Sequence, residues 1–272
     1  PEMQVHAVIP DCSDNIDELI QGLRRTLMKH THNFTIFVYV KCLPVKHKTV
    51  PHVRHMPSEN WGWEFYTYLS HIKHFAATGR LACYTIFVSS DILHHDGTFF
   101  QYLEDHFRHP QPLRYLNGMY WELNSLRDWG GQLPGGDRWF EWVFQTSAKL
   151  VSGISNCIFH SDFIARRDFL LNIPTAVIDR ALLVLNGSTF PMGWNGAPRQ
   201  QLNQRHTELL RSGSKRSRMP VKVDRYAAYR AEAIWIERNF HLILGIPFRV
   251  PSTYGPVGQE QALAARCPNK PL

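Results

Sequence analysis

Cysteine is scarce and unpatterned in this chain. The 5 cysteines, Cys12, Cys42, Cys83, Cys157 and Cys267, are scattered and form no C-x-x-C pair. That argues against a disulfide framework or a structural zinc site, and for free thiols in a reducing compartment. No apolar run approaches the ~18 residues needed to span a bilayer. The N-terminal stretch lacks the zones of a signal peptide, and Met3 reads as a native start, so a cytoplasmic protein with no membrane partner is expected. The alternative is a catalytic domain belonging to a longer, anchored chain. The usual phosphate cradles, G-x-x-x-x-G-K-[ST] and G-x-G-x-x-G, are missing. So are H-E-x-x-H and G-x-S-x-G. There is no D-x-D tripeptide, where many nucleotide-sugar transferases hold their metal and diphosphate. Acidic residues are in the minority, Asp+Glu 23 against Lys+Arg 30, giving a formal charge of +7. That excess favours polyanionic partners.

What is present is enough for a core: 272 residues, 44% of them hydrophobic, with no repeat and no low-complexity linker. One α/β domain over residues 1–250 is expected, followed by a Pro-, Gly- and Ala-rich extended tail over 251–272. Val5, Ala7 and Ile9 alternate as in a buried strand, and Ile16, Leu19, Ile20, Leu23 and Leu27 form a helical stripe. Thr35 to Val40 reads as the next strand. This strand–helix–strand unit predicts a mostly parallel sheet flanked by helices. A basic loop is expected from Lys41 to Met56, then a helix carrying Phe65, Tyr68, Leu69, Ile72 and Phe75. Tyr84 to Val88 reads as a third strand, Phe99 to His109 as a helix, and 113–136 as irregular. Helix is expected over 138–148, a strand near Cys157, and helix over 166–185 interrupted before Pro174. Two more helices are expected, over 200–211 and 226–244.

Ligands of open α/β sheets bind outside the carboxyl ends of the strands. That rule marks Pro10-Asp11-Cys12-Ser13, Lys41-Cys42 and Ser89-Ser90-Asp91. Asp91 is followed by His94 and His95, and a carboxylate beside two imidazoles suits general acid–base work or a metal. Its bland alternative is a loop capped by Asp91. Asn60-Trp61-Gly62-Trp63-Glu64 places Glu64 in a first helical turn, either as a substrate-facing acid or as a complement to the helix dipole. Glu237 and His241 form an i, i+4 pair, read as substrate-binding or as a solvated pair. Arg211, Lys215, Arg216, Arg218, Lys222 and Arg225 cluster with few acids nearby, a candidate phosphate-backbone patch or a solvated basic loop.

Several of these segments resemble a known family. Leu43-Pro44, then Asn60-x-Gly62-x-Glu64 with Tyr68-Leu69-x-His71-Ile72, then Tyr84-Thr85-Ile86-Phe87 running to Asp91, are similar in order and spacing to a large uncharacterised domain family of fungi and bacteria. Phe163-Ile164-Ala165-Arg166-Arg167 and Glu237-Arg238-x-Phe240-His241 resemble its later blocks. Trp63 and Ser90 depart from it, standing where the family usually carries Arg and Gly. The family looks like a glycosyltransferase-A type domain. Near that architecture stand the fungal arginine-containing cyclodipeptide synthases, which join arginine to a second amino acid from aminoacyl-tRNA.

The resemblance implies an enzyme that makes a cyclo-Arg-Xaa diketopiperazine from arginyl-tRNA and a second charged tRNA, with no metal or other cofactor. Glu64, Asp91 or Glu237 would hold the guanidinium. Trp61, Trp63, Tyr66 and Trp121, with Asn60, would wall the other side-chain pocket. His94 or His95 would be the base, and Ser89 or Ser90 an acyl carrier, the alternative being direct attack with no acyl-enzyme. Arg211 to Arg225 would hold tRNA. The alternatives are a nucleotide-sugar transferase with Mn or Mg, and a non-catalytic RNA-binding module.

Overall fold

The structure, a computed structural model, describes residues 3–11, 16–41, 50–59, 63–116, 120–123, 141–145, 155–158, 162–186 and 243. Val5–Asp11 forms β1, every residue of which is buried. A strand covered on both faces belongs inside a sheet with helices above and below. Its neighbours are β2 (Phe34–Val40) and β4 (Tyr84–Phe87), both parallel to it. Beyond β2 lies β3 (Val53–Pro57), also parallel. On the other side β8 (Phe163–Arg166) runs antiparallel to β4, and β5 (Leu113–Tyr115) antiparallel to β8. The order is β3-β2-β1-β4-β8-β5. The sheet is therefore mixed but mostly parallel, as expected: β8 runs against the other five strands. The buried run Phe163–Arg166 would look the same in either direction, so composition could not reveal its reversal. A second sheet pairs β6 (Tyr120–Leu123) with β7 (Ser155–Ile158).

Helices cover both faces. On one, α1 (Asp17–Met28) and α4 (Phe99–Arg108) bury Leu19, Leu23, Leu27 and Leu103 against Ile9, Ile36, Val38 and Ile86. Gly22 sits mid-helix because a Cβ there would strike the Phe100 ring of α4. On the other face, α2 (Trp63–Ala77) and α6 (Thr175–Leu185) close over Val8, Phe37, Phe87 and Phe163. Lys73 Nζ lies 2.6 Å from Asp179 Oδ1 between these two helices. The end of α2 is a Schellman turn: Gly79, at φ 65°, donates to Ala76 O and Arg80 donates to Phe75 O. The helix expected over 166–185 divides into α5 (Arg167–Leu171) and α6, with Pro174 as the break. A short α3 (Ile92–His95) follows β4.

Three further expectations are corrected. The Lys41–Met56 loop contains β3, an edge strand whose half-exposed, charged residues hid its pattern. The irregular 113–136 stretch contains β5 and β6. Cys83 is disulfide-bonded rather than a free thiol, and its partner is not among the described side chains. The strand near Cys157 is β7, and 141–144 is helical. The helix over 200–211, that over 226–244 apart from helical, buried Ile243, and the tail over 251–272 lie outside the described residues. Among the described residues, no helix is long and apolar enough to cross a membrane.

Candidate active site

The chain builds β1, β2 and β3 outward in one direction, then returns to place β4 on the opposite side of β1. In open α/β sheets such a reversal leaves a crevice outside the carboxyl ends of the strands, here those of β1 and β4, where ligands are held. Asp11 ends β1 and is buried; Lys41 follows β2, and its amide donates to Asp11 O at 2.9 Å. Ser89, Ser90 and Asp91 follow β4. The antiparallel direction of β8 brings the residue before it to the same rim. That residue is Asp162, fully buried, whose Oδ1 accepts from Ser89 N at 2.7 Å and from Ser89 Oγ at 3.1 Å.

Glu64 enters from above, in the first turn of α2. Burial raises its carboxyl pKa, and the Asp91 charge adds to the rise; its own backbone amide and the Lys41 ammonium oppose it. Burial lowers Lys41 to about 8, and the Glu64 charge limits the fall. The result is an acid drawn up and an amine drawn down toward neutrality, each within reach of the other's charge, which suits a proton donor–acceptor pair. Asp91 is exposed. Its backbone occupies the N-cap of α3 but its side chain makes no capping hydrogen bond, so the loop-capping role is not realised.

The structure thus brings together Glu64 and Asp91, with Ser90 partly buried beside them. His94 is exposed on α3, its amide donating to Asp91 O at 2.9 Å. His95 lies on α3, Trp63 opens α2, and Trp121 faces Cys157 in the β6–β7 register; the side chains of all three are outside the description. Tyr66 belongs to another stripe of α2, with Ser70 and Lys73, and its hydroxyl is raised chiefly by burial and then by Glu59. Asn60, Trp61, Glu237 and the basic residues Arg211, Lys215, Arg216, Arg218, Lys222 and Arg225 lie outside the described residues.

Sequence reasoning gave Lys41 only as a strand end and missed Asp162 altogether. Lys41 had a usable signal: a lone cation directly after an apolar strand falls at the ligand-binding rim. Asp162 had none, because its partner is 73 residues away. Asp162→Ala should destabilise the fold by about 1–3 kcal/mol, since it strands the Ser89 amide in the interior. Asp162→Asn retains an acceptor oxygen and should recover most of that loss. Urea unfolding of the pair checks it; equal midpoints would refute the tether.

No protein-family model and no curated protein matches the chain. Fold and site together define an α/β domain with a mixed six-stranded sheet and helices on both faces. An acid–amine–acid cluster sits at its switch-point crevice.

Proposed function

We propose that the chain is a group-transfer enzyme whose reacting centre is Lys41, Glu64 and Asp91, and that its donor is a nucleotide sugar. The observation that carries this is the Glu64–Lys41 pair at the switch-point rim, with opposed charges and pKa values drawn together by burial. In this reaction an acceptor hydroxyl attacks the anomeric carbon. Its proton passes to the Glu64 carboxylate as the new C–O bond forms. The bond to the diphosphate breaks, and the Lys41 ammonium takes the charge left on the departing nucleotide. Among the described residues no group of three or more His, Cys, Asp or Glu side chains is placed to hold a metal ion, and Lys41 puts a positive charge beside Glu64 where a cation would need a ligand. The Cys83 disulfide also supports this reading over one that needs charged tRNA, because disulfides are rare where cytosolic thiol buffers operate.

A second reading, the tRNA-dependent cyclodipeptide synthase, is favoured by one observation. Glu64 and Asp91 repel each other, and a planar guanidinium between them would offset that repulsion while accepting hydrogen bonds from neither and donating to both. There the α-amine of one aminoacyl group attacks the ester carbonyl of the other. The C–N bond forms, the ester C–O bond breaks, and the proton lost by the amine goes through Glu64 to the leaving ribose oxygen; the free α-amine of the resulting dipeptidyl ester then attacks the remaining ester carbonyl in the same way, closing the ring and releasing the second tRNA. One set of assays separates the two. The purified protein, incubated with nucleotide-diphosphate sugars and host extract, should release nucleoside diphosphate, and Glu64→Gln should slow the release by about 10²–10⁴-fold. No release with any donor, together with a cyclic arginine dipeptide made by the expressing cells and lost on ribonuclease treatment of their lysate, would overturn the first reading in favour of the second.

A further inference from the structure

We infer that Asn33 is an N-glycosylation site and that the chain matures in the secretory pathway. Asn33-Phe34-Thr35 is an acceptor triplet for N-linked glycan. Such triplets matter only where the asparagine is presented to solvent and the chain meets the secretory machinery. Both conditions have support on this molecule.

Asn33 is exposed, in the turn before β2. Its backbone is tethered: the Asn33 amide donates to Thr31 Oγ1 at 3.1 Å, and its carbonyl accepts from Val5 N at 3.0 Å. The next residue, Phe34, turns inward, 3% exposed, with the His52 ring stacked on it at 4.4 Å. The alternation of the strand thus puts the asparagine at the surface with its neighbour buried, and a glycan there displaces nothing from the core. The position also spares the crevice. Asn33 precedes β2 and Lys41 follows it, so the seven residues of the strand separate them, about 20 Å at the usual rise.

The second condition is met independently by Cys83. Its disulfide lies at the buried start of β4 and requires an oxidising compartment for its formation. In a eukaryotic cell that compartment is also where oligosaccharide is transferred to asparagine. The other Asn-x-Ser/Thr triplet, beginning at Asn186 after α6, runs beyond the described residues and carries no part of this inference.

The test is a tryptic map of the full chain purified from the cells that make it, with and without peptide N-glycosidase in heavy-oxygen water. The peptide from His30 to Lys41 should be absent before treatment and appear afterwards with Asp at position 33 carrying the heavy oxygen. Recovery of that peptide unmodified, before treatment, overturns the inference. A second measurement covers accessibility. Behind a secretory leader in a eukaryotic host, the chain should lose one glycan on Asn33→Gln and on Thr35→Ala. If neither variant changes the glycan count, Asn33 is not an acceptor. Glycan on the leader-directed chain but not on the native one would refute the secretory assignment. The glycan readout is independent of the transfer reaction, so its failure leaves the Lys41–Glu64–Asp91 centre untouched.

Discussion

Glu64→Gln is expected to lower turnover by about 10²–10⁴-fold, the usual worth of a positioned general base, and to leave the fold intact. Gln keeps the shape and the contact of the side chain with its own backbone amide while removing its proton chemistry. The second consequence is the sharper one. Lys41 stands at about 8 as the balance of burial, which pushes it down, against the Glu64 charge, which holds it up. Removing that charge leaves burial unopposed, so the Lys41 pKa must fall further below its value of about 8. In the unsubstituted protein, activity that needs the ammonium should decline on the alkaline side near that value. In any residual activity of Glu64→Gln, the alkaline limb should move to lower pH. Amine-directed labelling of Lys41 should rise at pH 7 for the same reason, since more of the neutral amine is present. Labelling unchanged between parent and variant would show that the two side chains do not sense each other, and the site would dissolve into two unrelated residues.

The difference between what was legible in sequence and what was not follows from the range of the interactions. β1, α1 and β2 were readable because their information is local: Val5, Ala7 and Ile9 alternate, and Leu19, Leu23 and Leu27 recur at helical spacing. β3 was not, because Arg54 and His55 interrupt a strand that covers only the sheet edge. The direction of β8 was not, because direction is set by the path of the chain and not by the residues Phe163–Arg166 themselves. The same division applies to the site. Glu64 and Asp91 were found because a helix start and a strand end are local features. Their junction through Lys41 depends on α2 lying across β2. The Cys83 disulfide was unreadable, since five scattered cysteines hold no spacing signal. The buried chain His6–His71–Tyr39 was hidden too: each member sits singly in an apolar element, and only the packing of α2 on the sheet makes them partners.

That chain gives the second large effect, a steep loss of stability in mild acid. Tyr39 Oη lies 2.9 Å from His71 Nδ1, and His71 Nε2 lies 3.2 Å from His6 Nδ1. With both rings neutral one proton serves each bond, and the ring tautomers set which nitrogen donates. Phe37 and Phe75 pack edge-on against His6, at centroid distances of 4.8 and 4.9 Å. Burial lowers His6 to about 4, with Arg54 adding to the effect. Burial, then His6 and His74, holds His71 well below its usual value. Across the sheet, burial and then Arg114 lower His106 to about 3 against the pull of Asp105. Among the described residues, neither ring nitrogen of His106 has a hydrogen-bond partner. The sign follows. Above the unfolded value of 6.5 neither state is protonated, and no penalty exists. As pH falls from there toward 4 the unfolded chain gains protons that the folded chain refuses, so stability drops. The loss from His6 alone levels off at about 3 kcal/mol, a large part of a typical total of about 5–15 kcal/mol. Circular dichroism should show cooperative acid unfolding between about pH 4 and 6, below the imidazole reference value. His106→Phe should move that midpoint to lower pH, because it removes a buried imidazole with no partner and one of the protons taken up on unfolding. A midpoint unchanged by His106→Phe would mean that this ring is hydrated and that the acid response belongs to other groups.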